Sequence, residues 1–381
     1  MASKNSRRFW TSREGELALF LYRTPATAQQ IFAVSQTWAQ PFASLNVTYR
    51  RLRDLIQAGW VFRSPLAIAS QVAARDYYQL TLDGYRLWRG DPKLPPPTKR
   101  FFTPTADALH QHLFAKAQFL THLTVVAYAR GFRIENDKPE NTFEIRVGEQ
   151  SIRPDHYLEL VGPYGRRFRR FFEFDRSTES QVSGSRLQNT WRQKNLVYDA
   201  YQNQLGRLAR FRVVPVTTES RRRLENILQC FTEQSSNPNR QLYVGVYLED
   251  FLAEDDALCH PIFANQRRLH VPLIPTSAIS LPPLGGGEMR SDRRKPICNR
   301  NSRQKQSHQP IVIRSQTRPL YDPMPALRSI GWESRAAFLP MLQVIRCIKE
   351  ASICEVETPV GCIAHHQVLC QKKPAISLTS R

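Results

Sequence analysis

A chain of 381 residues, 41% hydrophobic and 23% charged, is long enough for two ordinary domains and a tail, and apolar enough for most of it to fold. Its net charge of +21 attracts polyanions, nucleic acid first among them, and no apolar stretch nears the roughly 18–20 residues of a membrane span. Seven scattered cysteines make no secreted disulfide framework, and Met1–Trp10 is polar and basic with no apolar core after it, so membrane and secretion are set aside and the cytoplasm is expected.

Charge is unevenly placed. Residues 1–100 hold 15 Lys and Arg against 6 Asp and Glu, residues 101–263 hold 21 against 20, and residues 264–381 hold 18 against 7. A basic head and a basic tail flank a nearly neutral middle, whose acidic residues need an explanation of their own.

From Glu14 to Tyr22, Leu17, Leu19, Phe20 and Leu21 predict a first helix. Thr24-Pro25-Ala26-Thr27 supplies a turn and a cap for a short second helix through Phe32. Ser44 caps a third, with Leu45, Tyr49, Leu52, Leu55 and Ile56 on one face and Asn46, Thr48, Arg50, Arg51 and Arg53 on the other. Gly59 closes it as a residue needed at positive φ. Trp60–Arg63 and Tyr77–Thr81 then predict two strands joined by a basic loop. Three helices and a hairpin are the winged variant of the helix-turn-helix, whose third helix fits a major groove of duplex DNA. Asn46, Thr48, Arg50, Arg51 and Arg53 are therefore the candidate DNA-binding residues. A solvated helix face, or a winged helix used for protein assembly, are the duller readings.

Asp91-Pro92-Lys93-Leu94-Pro95-Pro96-Pro97 cannot continue a helix or a central strand, which predicts a linker over 91–104. Beyond it, Thr105–Tyr128 has a helical period, Phe143–Val147, Ile152–Leu160 and Phe168–Phe174 have strand character, and a turn falls at Gly162–Gly165. A helix over about Ser185–Leu205, a strand at Phe211–Val216, a helix at Ser220–Phe231 and a strand at Leu242–Leu248 follow. The order is α-β-β-β-α-β, a mixed sheet flanked by helices in an α+β or α/β chain.

Pro154-Asp155 opens one strand of that sheet and Glu173-Phe174-Asp175 ends the next. Alternation puts Glu173 and Asp175 on one face and Phe174 on the other, and a hairpin brings Asp155 to Glu173. Converging carboxylates are costly without a positive charge between them, and a divalent cation is the usual answer. Asp155 and Glu173 are thus the candidate metal ligands, for Mg2+, which with water and a phosphate oxygen supports phosphodiester hydrolysis. Caps and ion pairs with Arg153, Arg169 or Arg176 are the structural alternatives. His110, His112 and His122 lie on the preceding helix, where hydrogen-bonded structural roles are expected, and Trp191 and Tyr198 are expected as core or groove anchors. Arg166-Arg167 and Arg169-Arg170 could meet phosphate or merely water.

Pro154-Asp155 and Glu173 in this strand order resemble the PD-(D/E)xK nuclease superfamily, with Asp175 where that motif has lysine. The resemblance implies a restriction-endonuclease-like domain with catalytic Asp155, Glu173 and Asp175, and Lys194 as a relocated lysine. Behind a winged helix, the set Pro154, Asp155, Glu173, Asp175, Arg176, Thr178, Glu179, Lys194 and Tyr198 resembles the replication-relaxation family over roughly residues 14–250. That implies handling of plasmid or other mobile-element DNA, either as a Mg2+-dependent endonuclease or nickase or as an inactive DNA-binding accessory or transcriptional regulator.

The expected domains are a winged helix at 1–90, the linker at 91–104, the nuclease-like domain at 105–263 and a basic disordered tail at 264–381. Within the tail, Pro282–Gly287 reads as a break, Arg290–Arg303 as a basic run and Pro340–Glu350 as one helix. Cys362, His365, His366 and Cys370 fit no common zinc spacing.

Overall fold

Hydroxyl caps start the first three helices, at Thr27 and Ser44 where the sequence places them and at Thr11 ahead of the expected Glu14. In a computed structural model, which describes residues 10–67, 75–98, 101–175, 190–206, 210–235 and 241–275, Thr11 begins α1 (Ser12–Arg23). Its hydroxyl accepts the Glu14 N–H, and the Glu14 carboxylate accepts the Thr11 N–H at 2.7 Å. Thr27 and Gln30 repeat this capping box for α2 (Ala28–Ser35), and the Ser44 hydroxyl accepts Val47 N–H to open α3 (Leu45–Gln57). Gly59 takes φ +75° just past α3, as expected.

Strands β1 (Ala26–Thr27), β2 (Val61–Leu66) and β3 (Arg75–Leu80) form an antiparallel sheet in the order β1-β3-β2. Helix α4 (Leu82–Arg89), which the strand reading passed over, follows at once, with Thr81 as its cap. A Cβ on Gly84 would stand 2.1 Å from the Trp60 carbonyl oxygen, so glycine lets α4 lie this close to the hairpin. Leu17, Phe20, Ile31, Leu52, Leu55 and Leu80 fill the core between the helices and this sheet.

The proline-rich stretch does not behave as a free linker. Phe101 packs against Tyr22 and Phe102 against Tyr85, while Gln79 Nε2 donates to the Phe101 carbonyl at 2.7 Å and Arg86 Nε donates to that of Leu94. The prolines forbid regular structure, but two adjacent phenylalanines gain too much from burial to stay in water. A 3-10 turn, Asp107–Leu109, then leads into α5 (His110–Ala129), against which α2 packs. His110 ties the two regions: its Nδ1 accepts Ala67 N–H and its Nε2 meets the Thr105 carbonyl, both at 2.9 Å.

The second sheet has seven strands: β4 (Arg133–Pro139), β7 (His156–Val161), β8 (Arg167–Asp175), β9 (Phe211–Thr217), β10 (Val244–Tyr247), β11 (Phe263–Asn265) and β12 (His270–Val271). Their order is β12-β11-β10-β9-β8-β7-β4, with β4, β7 and β8 antiparallel and β8, β9 and β10 parallel. Phe172, Phe174, Val214, Val216 and Val246 pack toward α5 and α8 (Leu248–Ala253) around Phe119 and Phe251. Phe171, Phe211 and Val213 pack the other way, toward α6 (Trp191–Leu205) and α7 (Arg221–Gln234) through Trp191, Val197, Ile227 and Phe231. The chain is thus α+β with a mixed sheet.

Two expectations change here. The first strand of the expected triplet is Arg133–Pro139, not Phe143–Val147, which instead joins a small hairpin of β5 (Ile145–Val147) and β6 (Gln150–Ile152) off the sheet. β4 is an edge strand with one neighbour and an irregular register between Glu135 and Lys138, so it shows little apolar alternation. The tail does not begin at 264: β11 and β12 belong to the sheet, and Leu273 and Ile274 are fully buried. The expected helix from Ser185 has Trp191–Leu205 in the structure, with residues 185–189 outside the described residues. Arg290–Arg303, Pro340–Glu350 and the Cys362–Cys370 group also lie outside the described residues.

Candidate active site at the ends of β7 and β8

Adjacent strands and one helix face bring three predicted residues together. Asp155 stands just before β7, and its Oδ2 accepts the Phe174 N–H from β8 at 2.7 Å, which sets it beside Glu173. Thr190 caps α6, so Lys194 and Tyr198, one turn apart, share a helix face. Lys194 Nζ donates to Glu173 Oε2 at 2.8 Å and the Tyr198 hydroxyl donates to Oε1 at 2.5 Å. The Lys194 ammonium also lies 4.8 Å from the centre of the Trp191 ring. Tyr198 is an anchor, as expected, but one fixed on the carboxylate.

Glu173 is only 1% exposed. Burial, with the Asp155 charge adding to it, pushes its carboxyl up to about 7, against the pull of Lys194 and Tyr198. The folded protein therefore holds this proton at pH values where the unfolded chain, near 4.5, has lost it. The resulting stability is full below the unfolded value and is lost as pH climbs toward 7. In cation-free buffer, Glu173→Gln should gain on the parent between about pH 5 and about pH 7.5, read as urea midpoints; a constant difference across that range rejects the shift.

Asp175 does not join this group. It is buried, Arg223 Nε and Nη2 donate to its two oxygens at 3.0 Å each, and Trp191 Nε1 donates to Oδ1 at 3.2 Å. The catalytic role expected from its place in the motif is replaced by an anchoring one, binding β8 to α6 and α7. It shares the face of Glu173, as alternation requires, but one residue pair further along the strand.

On the other side of Asp155 lie two groups not assigned to the site from sequence. Donor atoms of His112, on α5, of Glu140, just after β4, and of Asp155 are all within 4.8 Å of one another. Lys116 Nζ donates to Glu140 Oε2 at 2.7 Å, and His112 Nε2 is 3.8 Å from the same oxygen. Lys116 first, then His112, holds the Glu140 carboxyl far below the usual range despite its burial. Glu140 was missed because the strand it follows was missed. His112 carried a signal, but its place near the apolar face of the helix led to a hydrogen-bonded structural role, and Lys116, one turn on, was not singled out.

Among the other candidates, α3 shows Asn46, Arg50 and Arg53 to solvent, together with Tyr49. Thr48 is buried instead, with its hydroxyl on the Ser44 carbonyl, because it falls one turn before Leu52 on the core side. Arg51 turns back to the buried Glu14 carboxylate and to Asp54. The hairpin arginines are also internally engaged: Arg167 reaches Glu135 and Glu159, Arg169 reaches Glu159, and Arg170 is buried with Nη2 on the Leu273 carbonyl. His122 Nε2 meets the Glu254 carbonyl. Arg176, Thr178 and Glu179 lie outside the described residues.

No described helix is long and apolar enough to cross a membrane. No curated protein and no solved structure matches the chain. Residues 18–214, more than half of the sequence, match the replication-relaxation family; the chain belongs to that family, and its membership points to a role connected with replication of a plasmid or mobile element.

Proposed function

We propose that the protein docks on duplex DNA of a plasmid or mobile element through its N-terminal helices and cuts a phosphodiester at the Asp155 end of the large sheet. The convergence of Asp155, Glu173 and Lys194 from two adjacent strands and the following helix carries this reading. It is the arrangement that the PD-(D/E)xK resemblance implies. A divalent cation there, Mg2+ in the first instance, would supply Lewis-acid stabilisation of the phosphate and a more acidic bound water. Lys194, paired with Glu173, offers an ammonium to the charge that develops on phosphate oxygens. Tyr198 and Lys194 keep the Glu173 carboxylate in one orientation, and Phe174 N–H does the same for Asp155.

In this reading the three N-terminal helices and the β1-β3-β2 sheet act as a winged helix-turn-helix, with α3 as the groove helix. Its exposed Asn46, Tyr49, Arg50 and Arg53 recur at helical spacing along one face, where the first can meet base edges and the arginines phosphates. Arg50→Ala and Arg53→Ala should each weaken duplex binding and lower the salt slope of log K by about 1, measured by anisotropy across a salt series. Thr48→Ala should leave that slope alone.

The test of function is supercoiled plasmid incubated with the full chain and Mg2+ or EDTA. Cation-dependent nicking or relaxation is expected. A second reading, a DNA-binding accessory without cleavage, draws on Asp175, which stands at the motif's lysine position and is held by Arg223. Steep salt-dependent binding with no nicking would select it. The nearly neutral charge of residues 101–263 leaves the attraction for duplex to the basic head and the basic tail in either case. No appreciable affinity for duplex at moderate salt would leave protein assembly as the use of the N-terminal helices.

A further inference from the structure

The pair expected to share a cation fits it poorly: Glu173 is buried and gives one oxygen to Lys194 and the other to Tyr198. Asp155 has better company on its other side. We propose that His112, Glu140 and Asp155 form the divalent-cation site, and that its imidazole makes it a site for a first-row transition cation such as Mn2+ in preference to Mg2+. The inference rests on the reading that the Asp155 end of the sheet is the reactive end, and it moves the cation from Glu173 to the α5 side.

Three elements deliver the ligands: α5 carries His112, the turn after β4 carries Glu140, and the approach to β7 carries Asp155. Their donor atoms lie within 4.8 Å of one another, so a cation among them reaches all three with small side-chain movements. All three side chains are half-buried, open enough for entry and shielded enough for their charge to count. Among the described residues Asp155 is held by one hydrogen bond, from Phe174 N–H to Oδ2, which orients the carboxylate within reach of the other two ligands. His112 is steadied by the edge of the Phe174 ring, 6.1 Å between centroids, so one residue of β8 positions two of the three ligands.

Lys116 supplies the counter-charge that a cation would have to displace. Its ammonium, almost fully buried, sits 2.7 Å from Glu140 Oε2, one helical turn from His112. A positive charge thus already occupies the edge of this ligand set, and a metal ion competes with it for Glu140. Two carboxylates with one imidazole suit Mn2+ and its neighbours; Mg2+ favours oxygen ligands throughout.

Mn2+ binding to the full chain, followed by loss of the free-ion electron paramagnetic resonance signal with Mg2+ as competitor, tests this without any activity. One Mn2+ per chain is expected, with Mg2+ displacing it only in large excess. His112→Ala and Glu140→Gln should each weaken Mn2+ binding tenfold or more, whereas Lys116→Met, which removes the competitor, should tighten it. A tighter variant cannot arise from misfolding, and circular dichroism checks the other two. Unchanged affinity in His112→Ala and Glu140→Gln overturns the proposal, as does a Lys116→Met that binds no better. If those two bind normally while Asp155→Asn does not, the cation lies between Asp155 and Glu173; this site falls and the functional reading survives. If the parent binds neither ion, this site falls as well, and the plasmid assay alone then decides the functional reading.

Discussion

Asp155→Asn is expected to lower cation-dependent plasmid cleavage on the order of 10³-fold, because several kcal/mol of metal-borne stabilisation leave with the charge, at about 1.4 kcal/mol per tenfold. The amide is chosen over alanine on structural grounds. Oδ2 of Asp155 accepts the Phe174 N–H, and an asparagine carbonyl can keep that bond, so the strand ends stay in place while the ligand loses its charge. The basic α3 face is remote in sequence and built by other elements, so duplex affinity and its salt slope should match the parent. Gel assays of supercoiled plasmid give the first quantity and anisotropy the second. Cleavage within a few-fold of the parent would remove Asp155 from the chemistry and favour the accessory reading. Loss of cleavage with loss of duplex binding would instead mean that the fold had been damaged.

Residue types with local physical causes were readable from the chain. Thr27 and Ser44 cap because a hydroxyl before an apolar period has few other uses, and Gly59 ends α3 at positive φ. Two-residue alternation placed Phe174 opposite Glu173 and Asp175, and the motif resemblance singled out Lys194. What failed depended on partners distant in sequence. Arg133–Pro139 is a strand only because β7 lies beside it, and with it went Glu140. Thr48 reads as polar surface until the packing of α3 shows that its face belongs to the core. Phe101 and Phe102 were hidden by the prolines before them, although their surface decides where the segment lies. Past residue 264 the short strands β11 and β12 carry too few residues for any period to show.

Asp175 shows the same limit, and it carries the second large effect. Its partner Arg223 is 48 residues away, on a helix whose facing could not be read from the motif. Arg223→Met takes both guanidinium hydrogen bonds from a fully buried carboxylate, which keeps the Trp191 N–H, a loss of about 3–5 kcal/mol. A penalty of that size is a large share of the stability of an ordinary domain, about 5–15 kcal/mol in all. Adding Asp175→Asn to it should recover most of the loss, since the penalty lies in a buried charge that has lost its guanidinium and not in the missing contact. Asp175→Asn alone should cost less, because the Arg223 side chain, 15% exposed, can turn to water. Urea midpoints of the four proteins measure the cycle. An Arg223→Met protein as stable as the parent yet unable to cut plasmid would return Asp175 to the reactive group. A destabilised single variant rescued by the double makes it the bolt that holds β8 against α6 and α7, and so keeps Glu173 in reach of Lys194.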